Sequence, residues 1–204
     1  MKIQKAIRLL PLLLLLSGAA LAADEYKIDP VHSSANFSVK HMLISTVHGR
    51  FTGLSGTILY DEKDPKKSSV EAVIKTASIT TDNEYRDKDL RGADFFEVDK
   101  YPEITFKSKR VEKRGKQLVA IGMLTMKNVS KEIELPFEIN KVTSPWGVVI
   151  GATATTQLNR QDYGITYSKK LDGGGLVVSD DVKIELDIEA KPQAPAKPAA
   201  ATKN

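Results

Sequence analysis

Apolar and polar residues alternate with a period of two along most of this chain, the signature of strands that keep one dry face and one wet face. Val182, Ile184, Leu186 and Ile188 alternate with Lys183, Glu185, Asp187 and Glu189. Ile133, Leu135, Phe137 and Ile139 alternate in the same way with Glu132, Glu134, Pro136 and Glu138. Val70, Ala72 and Ile74 repeat the pattern, as do Ile104 and Phe106 against Thr105 and Lys107. Turn signals separate the runs at Asp64-Pro65, Arg114-Gly115, Lys127-Asn128 and Ser144-Pro145-Trp146-Gly147. Counting the runs gives about eight strands in an antiparallel meander, a number that closes into a barrel wide enough for one small ligand.

One stretch breaks the alternation, from Thr80 to Pro102. Thr81-x-x-Glu84 reads as a capping box, Tyr85 and Leu90 as the inner face of a short helix, and Gly92 as its stop. A further turn follows through Asp94, Phe95 and Phe96 to Val98. The expectation is an all-β antiparallel barrel with a short helical crossover around residues 81–99 laid over one end. Phe95 and Phe96 would plug that end as core or gate it.

Whether the barrel is solid or hollow turns on side-chain size. Ala72, Ala152, Ala154 and Gly122 occupy dry positions and leave room, whereas Phe106, Phe137 and Ile150 have the bulk to fill it. A hollow interior would be lined by Phe37, Val39, Phe51, Ile74 and Phe95, with Phe96, Phe106, Phe137, Ile150 and Leu186. Such a lining suits a long hydrocarbon better than a sugar, nucleotide or metal ion. The run from Leu118 to Met126 is apolar on both faces, so the alternation assigns it no direction.

The two ends change the meaning of the charge. Lys2, Lys5 and Arg8 precede an apolar run from Leu9 to Leu16 and then small residues ending in Ala20-Leu21-Ala22, so residues 1–22 read as a secretory signal peptide. No cysteine occurs in the chain, which leaves no lipoprotein anchor, disulfide, thiol nucleophile or thiolate metal site. Residues 191–204 contain no large apolar side chain and read as a disordered Lys/Pro/Ala-rich tail. Removing the six Lys and Arg of these ends from the total of 30 leaves 24 against 26 acids. The domain spanning 23–190 is thus slightly acidic despite a sequence pI near 9.1, which argues against a nucleic-acid partner.

Candidate chemistry is sparse. His32, His41 and His48 are separated by odd numbers of residues, which puts successive members on opposite faces of a continuous strand unless a bend near Met42 to Ser45 intervenes. No metal site and no cofactor are expected. Asp29, His32, Ser33 and Ser34 supply the parts of a nucleophilic triad, yet no G-x-S-x-G elbow accompanies them, and no catalytic residue is assigned. Asn159, Arg160 and Asp162 form a polar cluster ahead of Gly164, either a turn fixed by a salt bridge or a rim that meets a ligand head group together with His32 and His41.

These residues resemble the YceI-like family of bacterial periplasmic lipid- or polyisoprenoid-binding proteins. The likeness runs through Tyr26-x-Ile28-Asp29-x-x-His32-Ser33, Phe37-x-Val39-x-His41, Val47-x-Gly49-x-Phe51 and Gly56-x-Ile58. It continues in Leu90-x-x-x-Asp94-Phe95-Phe96, Tyr101-Pro102-x-Ile104-x-Phe106-x-Ser108, Gly122-x-Leu124-Thr125, Asn159-Arg160-x-Asp162-Tyr163-Gly164 and Asp181-Val182-x-Ile184. The resemblance implies an elongated lipocalin-like barrel, a hollow one, holding an isoprenoid or other long-chain amphiphile in the periplasm without enzymatic activity. It implies a lipid partner, no transmembrane segment in the mature chain, and nothing about oligomeric state. Two other classes share the period-two signal or the polar cluster. One is an eight-stranded outer-membrane barrel, disfavoured by the Glu- and Lys-rich outer faces and by only 13 aromatic residues. The other is an envelope enzyme built on Asp29, His32 and His41.

Overall fold

A computed structural model describes residues 23–145, 147–172 and 174–193. The leader and all but the first three residues of the tail lie outside them. Among the described residues eleven strand segments join in one sheet, which closes because the first segment in the chain also pairs with the last in the chain. They are β1 (Asp24–Ile28), β2 (Ser34–His41), β3 (Ser45–Phe51), β4 (Leu54–Tyr60), β5 (Ser69–Lys75) and β6 (Ile79–Thr80). After the α-helix α1 (Glu84–Arg91) come β7 (Glu103–Arg114), β8 (Gln117–Met126), β9 (Val129–Ser144), β10 (Gly147–Asn159) and β11 (Val178–Pro192).

Eleven segments make eight strands because three strands are kinked. β1 and β2 both lie along β11, at Ile28↔Ala190 and Ser34↔Asp187, so they are two halves of one strand. β4 and β3 flank those halves, and β5 and β6 flank β4 and β3 in turn. The result is a closed eight-stranded antiparallel barrel with one helix. Side chains repair the ladder at each kink. The Ser33 hydroxyl donates to the Glu189 carbonyl at 3.1 Å and accepts from the Glu189 amide at 3.0 Å, replacing backbone that Pro30 and the bend remove. Across the second kink, the Gly53 amide donates to Ser78 Oγ at 2.9 Å.

The alternation translates directly into direction. Ile133, Leu135, Phe137 and Ile139 of β9 point inward, and Glu132, Glu134 and Glu138 are exposed. β8 resolves with Ala120, Leu124 and Met126 inward. Ile121 and Val119 face outward yet are 1% and 3% exposed. Ile121 lies across from Arg110 and Glu134, and Val119 across from Glu112 and Pro136, so long charged side chains roof them. A bulge between Ser108 and Arg110 shifts the phase of β7, so that Val111 returns to the interior after Phe106. At this bulge the Lys107 carbonyl would stand 2.4 Å from a Cβ at Gly122, an approach that only glycine permits.

The crossover differs from its expected start. Asn83 caps α1 by accepting from the Arg86 amide at 3.0 Å, and the capping box at Thr81 does not form. Thr81 instead donates its hydroxyl and amide to Asp87 at 2.6 and 2.7 Å, and Thr80 donates to the same carboxylate. Burial pushes Asp87 up, but these three bonds outweigh it and hold the carboxyl below its ordinary pKa. Tyr85 is 87% exposed and shares no inner face with Leu90, which packs on the core. Gly92 ends the helix as expected. At the other terminus, β11 runs through Lys191 and Pro192, which pair with Lys27 and Tyr26, so the sheet extends two residues into the stretch read as tail.

Candidate functional site

The barrel holds an apolar cavity of about 190 Å³. Its wall takes Phe37 and Phe51 from β2 and β3, Ala72 and Ile74 from β5, Phe106 from β7 and Phe137 from β9. Ala152 and Ala154 of β10 and Ile184, Leu186 and Ile188 of β11 complete the circuit. Among the described residues no Asp, Glu, Lys, Arg or His lines it; its polar atoms come from Asn36, Tyr60, Ser68, Ser69, Thr153 and Thr156. Phe37, Ile74, Phe106, Phe137 and Leu186 face inward but remain only partly buried. In a close-packed interior they would be fully covered, so their exposed surface is the wall of a hole.

Two aromatic groups bound the hole. At one end Tyr26, Tyr60, Ile150 and Ala190 form a buried plug. Ile150, expected in the lining, is 1% exposed and belongs to this plug. At the other end Phe96 of the crossover meets Phe51 edge to face, with ring centroids 5.5 Å apart, and Phe51 meets Phe37 at 5.8 Å. Phe96 therefore closes the cavity end without lining it. A Cβ at Gly49 would stand 2.3 Å from the Phe37 ring, so this glycine makes the ring's present position possible.

Phe37 also faces a second recess beneath α1, shared with Val39, His41, Val47, Leu90, Phe95, Tyr167 and Val178. Val39 and Phe95 belong to this recess and not to the main cavity. Phe95 stacks on Tyr167 at 4.9 Å. Arg86, Lys88, Asp89 and Asp94 give the recess charged edges, so it is a mixed vestibule set against an apolar chamber, with one phenylalanine between them. Nothing in the alternation announces it, because it forms between a hairpin and a helix far apart in sequence.

The polar candidates scatter. Arg160 is 6% exposed and spends its guanidinium on the Ile165, Ser179 and Val178 carbonyls and on Asp180 at 2.8 Å. It is therefore a structural clamp on the loop between β10 and β11, not a rim contact. Burial also pulls its pKa down from the usual guanidinium value. Its expected partner Asp162 pairs with Lys131 at 2.7 Å instead, and Asn159 accepts from the Gln161 amide at 3.0 Å. His32, His41 and His48 sit apart: at the first kink, in the vestibule wall, and on the exposed face of β3.

At the first kink His32 Nδ1 donates to Asp29 at 2.9 Å, and Lys191 Nζ pairs with Asp29 and stands 3.6 Å from Glu189. Asp29, His32 and Glu189 place ligand atoms within 4.8 Å of one another, and the Lys191 ammonium pairs with both carboxylates, offsetting one of their two charges. Asp29 and His32 do make the dyad of a triad. The neighbouring Ser33 hydroxyl, however, is committed to the Glu189 backbone, and Ser34 Oγ accepts from Asn36 at 2.8 Å. Lys191, then His32 and the Val31 amide, hold the Asp29 carboxyl well below the usual range. A carboxyl depressed in the native state adds stability above its unfolded pKa of about 3.9, and that stability is lost as pH falls through and below that value. The melting temperature of Asp29→Asn is accordingly expected to lie below that of the parent at neutral pH, with the gap closing in acid. Scanning calorimetry across pH checks this, and a gap that stays constant contradicts it.

The outer wall carries ion pairs such as Lys107 with Glu71 at 2.6 Å, Lys109 with Glu132 at 2.8 Å and Arg114 with Glu134 at 2.6 Å. A membrane-spanning barrel needs an apolar band there. No helix among the described residues is long and apolar enough to cross a membrane. A closed barrel with a dry chamber, one plugged end and a charged exterior defines an architectural class: a hollow antiparallel barrel with an apolar interior.

Comparison with known proteins shows the family of the chain. The YceI-like domain family matches residues 26–190, and the chain belongs to this family. Protein YceI of Salmonella newport is 38% identical over 158 residues, covering 76% of this chain and 82% of that protein. The YCEI protein of Campylobacter jejuni superposes with a TM-score of 0.66 at 32% identity, over 76% of this chain and 90% of that one. A polyisoprenoid binding domain from Saccharophagus degradans shares the fold with a TM-score of 0.62 at 18% identity, over 82% of this chain and 98% of that domain.

Proposed function

We propose that this protein is an exported, periplasmic carrier or store for a polyisoprenoid or another long-chain amphiphile, and not an enzyme. The observation that carries the reading is the chamber itself: inward aliphatic and aromatic side chains on every wall, left partly uncovered, with no Asp, Glu, Lys, Arg or His among the described residues that line it. Each buried methylene contributes about 0.8 kcal/mol, so a chain long enough to fill the chamber binds without strong polar contacts. The vestibule beyond Phe37 suits the polar head, with His41, Arg86, Lys88 and Asp89 at its edge. Membership of the YceI-like family supports this, as does the fold shared with a domain that binds polyisoprenoid.

Displacement of a fluorescent fatty probe by prenols of increasing length tests the reading. Affinity should rise with each isoprene unit and then level off once the chamber is full. Affinity independent of length, or no saturable binding, would sink it.

A further inference from the structure

The hairpin that joins β2 to β3 is built against local preference. Met42 and Leu43 have φ of 52° and 63°, and the Ile44 amide closes the turn on the His41 carbonyl at 3.2 Å. A tight hairpin with both central residues at positive φ favours Asn and Gly, and bulky side chains there are strained. Most of their apolar surface stays uncovered: Met42, Leu43 and Ile44 are 41%, 63% and 85% exposed, although the Leu43 side chain rests on Gly175. Strain combined with exposure of three consecutive apolar residues marks a surface that meets something.

Position and charge identify the occupant. The Met42 amide donates to the Val177 carbonyl at 2.8 Å, and the Val177 amide donates to the Lys169 carbonyl at 2.8 Å, so the loop before β11 lies against the hairpin. Together the two segments present exposed Lys40, Lys169 and Lys170 against one acid, Asp172. The same segments contribute His41, Val177 and Val178 to the vestibule. An apolar tip ringed by lysines, continuous with the opening of a lipid chamber, matches the interface of an anionic bilayer, where aliphatic side chains enter the acyl boundary and ammonium groups meet phosphate.

We propose that the Met42-Leu43-Ile44 tip is a membrane-docking element that seats the vestibule on an anionic lipid surface for delivery. The delivery role rests on the carrier reading above. Flotation of the full chain with phosphatidylglycerol vesicles and with phosphatidylcholine vesicles tests it, with bound lipid measured on the same samples by organic extraction and mass spectrometry. The parent protein floats with phosphatidylglycerol and far less with phosphatidylcholine. Leu43→Asp combined with Ile44→Asp lowers flotation about tenfold or more, since two aliphatic side chains no longer enter the interface. Lys169→Glu with Lys170→Glu also lowers it about tenfold, and high salt does the same to the parent. Neither variant alters the co-purified lipid content. Failure of the parent to float, equal flotation of the Asp variant, or a parent dimer that this variant turns into a monomer overturns the proposal; the last outcome would assign the tip to a second copy. Retained lipid without flotation strikes the docking alone. Tip-dependent flotation of a lipid-free protein supports the docking and strikes the carrier reading.

Discussion

Replacing Ala154 by Trp is expected to give a folded barrel that no longer holds a long-chain lipid. Ala154 faces the chamber from β10, between Phe137 on β9 and Leu186 on β11, and all three line the cavity. Enlarging a residue in a packed core costs about 1–3 kcal/mol through strain. Here the indole enters space that is already empty, so stability should change little. Binding should suffer much more. The ring displaces on the order of six methylenes of any guest, a gross loss of ~5 kcal/mol. Even if rearrangement recovers half of it, affinity falls about a hundredfold. Ala72→Phe on the far side of the chamber should act alike, whereas Thr155→Trp on the exposed face of β10 should leave binding intact. Probe titration beside chemical denaturation separates the cases. An Ala154→Trp protein that binds normally would mean that the guest lies elsewhere.

Arg160→Leu should produce the largest loss of stability. The guanidinium joins three carbonyls and Asp180 while almost fully covered, so its removal takes the buried donor from three carbonyls and leaves Asp180 with Gln161 alone. Breaking such a buried pair costs about 3–5 kcal/mol. Arg160→Lys keeps the charge but cannot span four acceptors with one ammonium, and it should recover only part of the loss. Urea denaturation measures both variants, and a loss under about 1 kcal/mol for the leucine variant would contradict the clamp.

The barrel was legible because one physical cause, a sheet with a dry inside and a wet outside, writes itself on the chain every second residue. Ile133 to Ile139 and Ile184 to Ile188 therefore read directly as inward sets. What the alternation hides is whatever breaks it. A strand folded at Asp29 to Ser33 looks like two strands, and the bulge at Ser108 to Arg110 reverses direction without any change of composition. Val119 and Ile121 look like lining because long ion-paired side chains cover them from outside. Ile150 has the right direction but the wrong depth, and depth along a barrel leaves no mark in a period-two pattern. Arg160 was visible as a charge near a turn, but its four acceptors come from a loop closed only by the fold. The vestibule had no local signal, since Val39 and Phe95 meet across the crossover. The one hint to the docking tip was Met42-Leu43-Ile44 between two alternating runs, where a turn would ordinarily carry Gly or Asn.

The central claim is that the chamber holds a long hydrocarbon chain. Organic extraction of the protein purified from its native source, followed by mass spectrometry, tests it most directly. The expected result is a long-chain lipid near one per protein, absent from Ala154→Trp prepared in parallel. Repeated recovery of a lipid-free parent protein that also refuses added isoprenoids would contradict it.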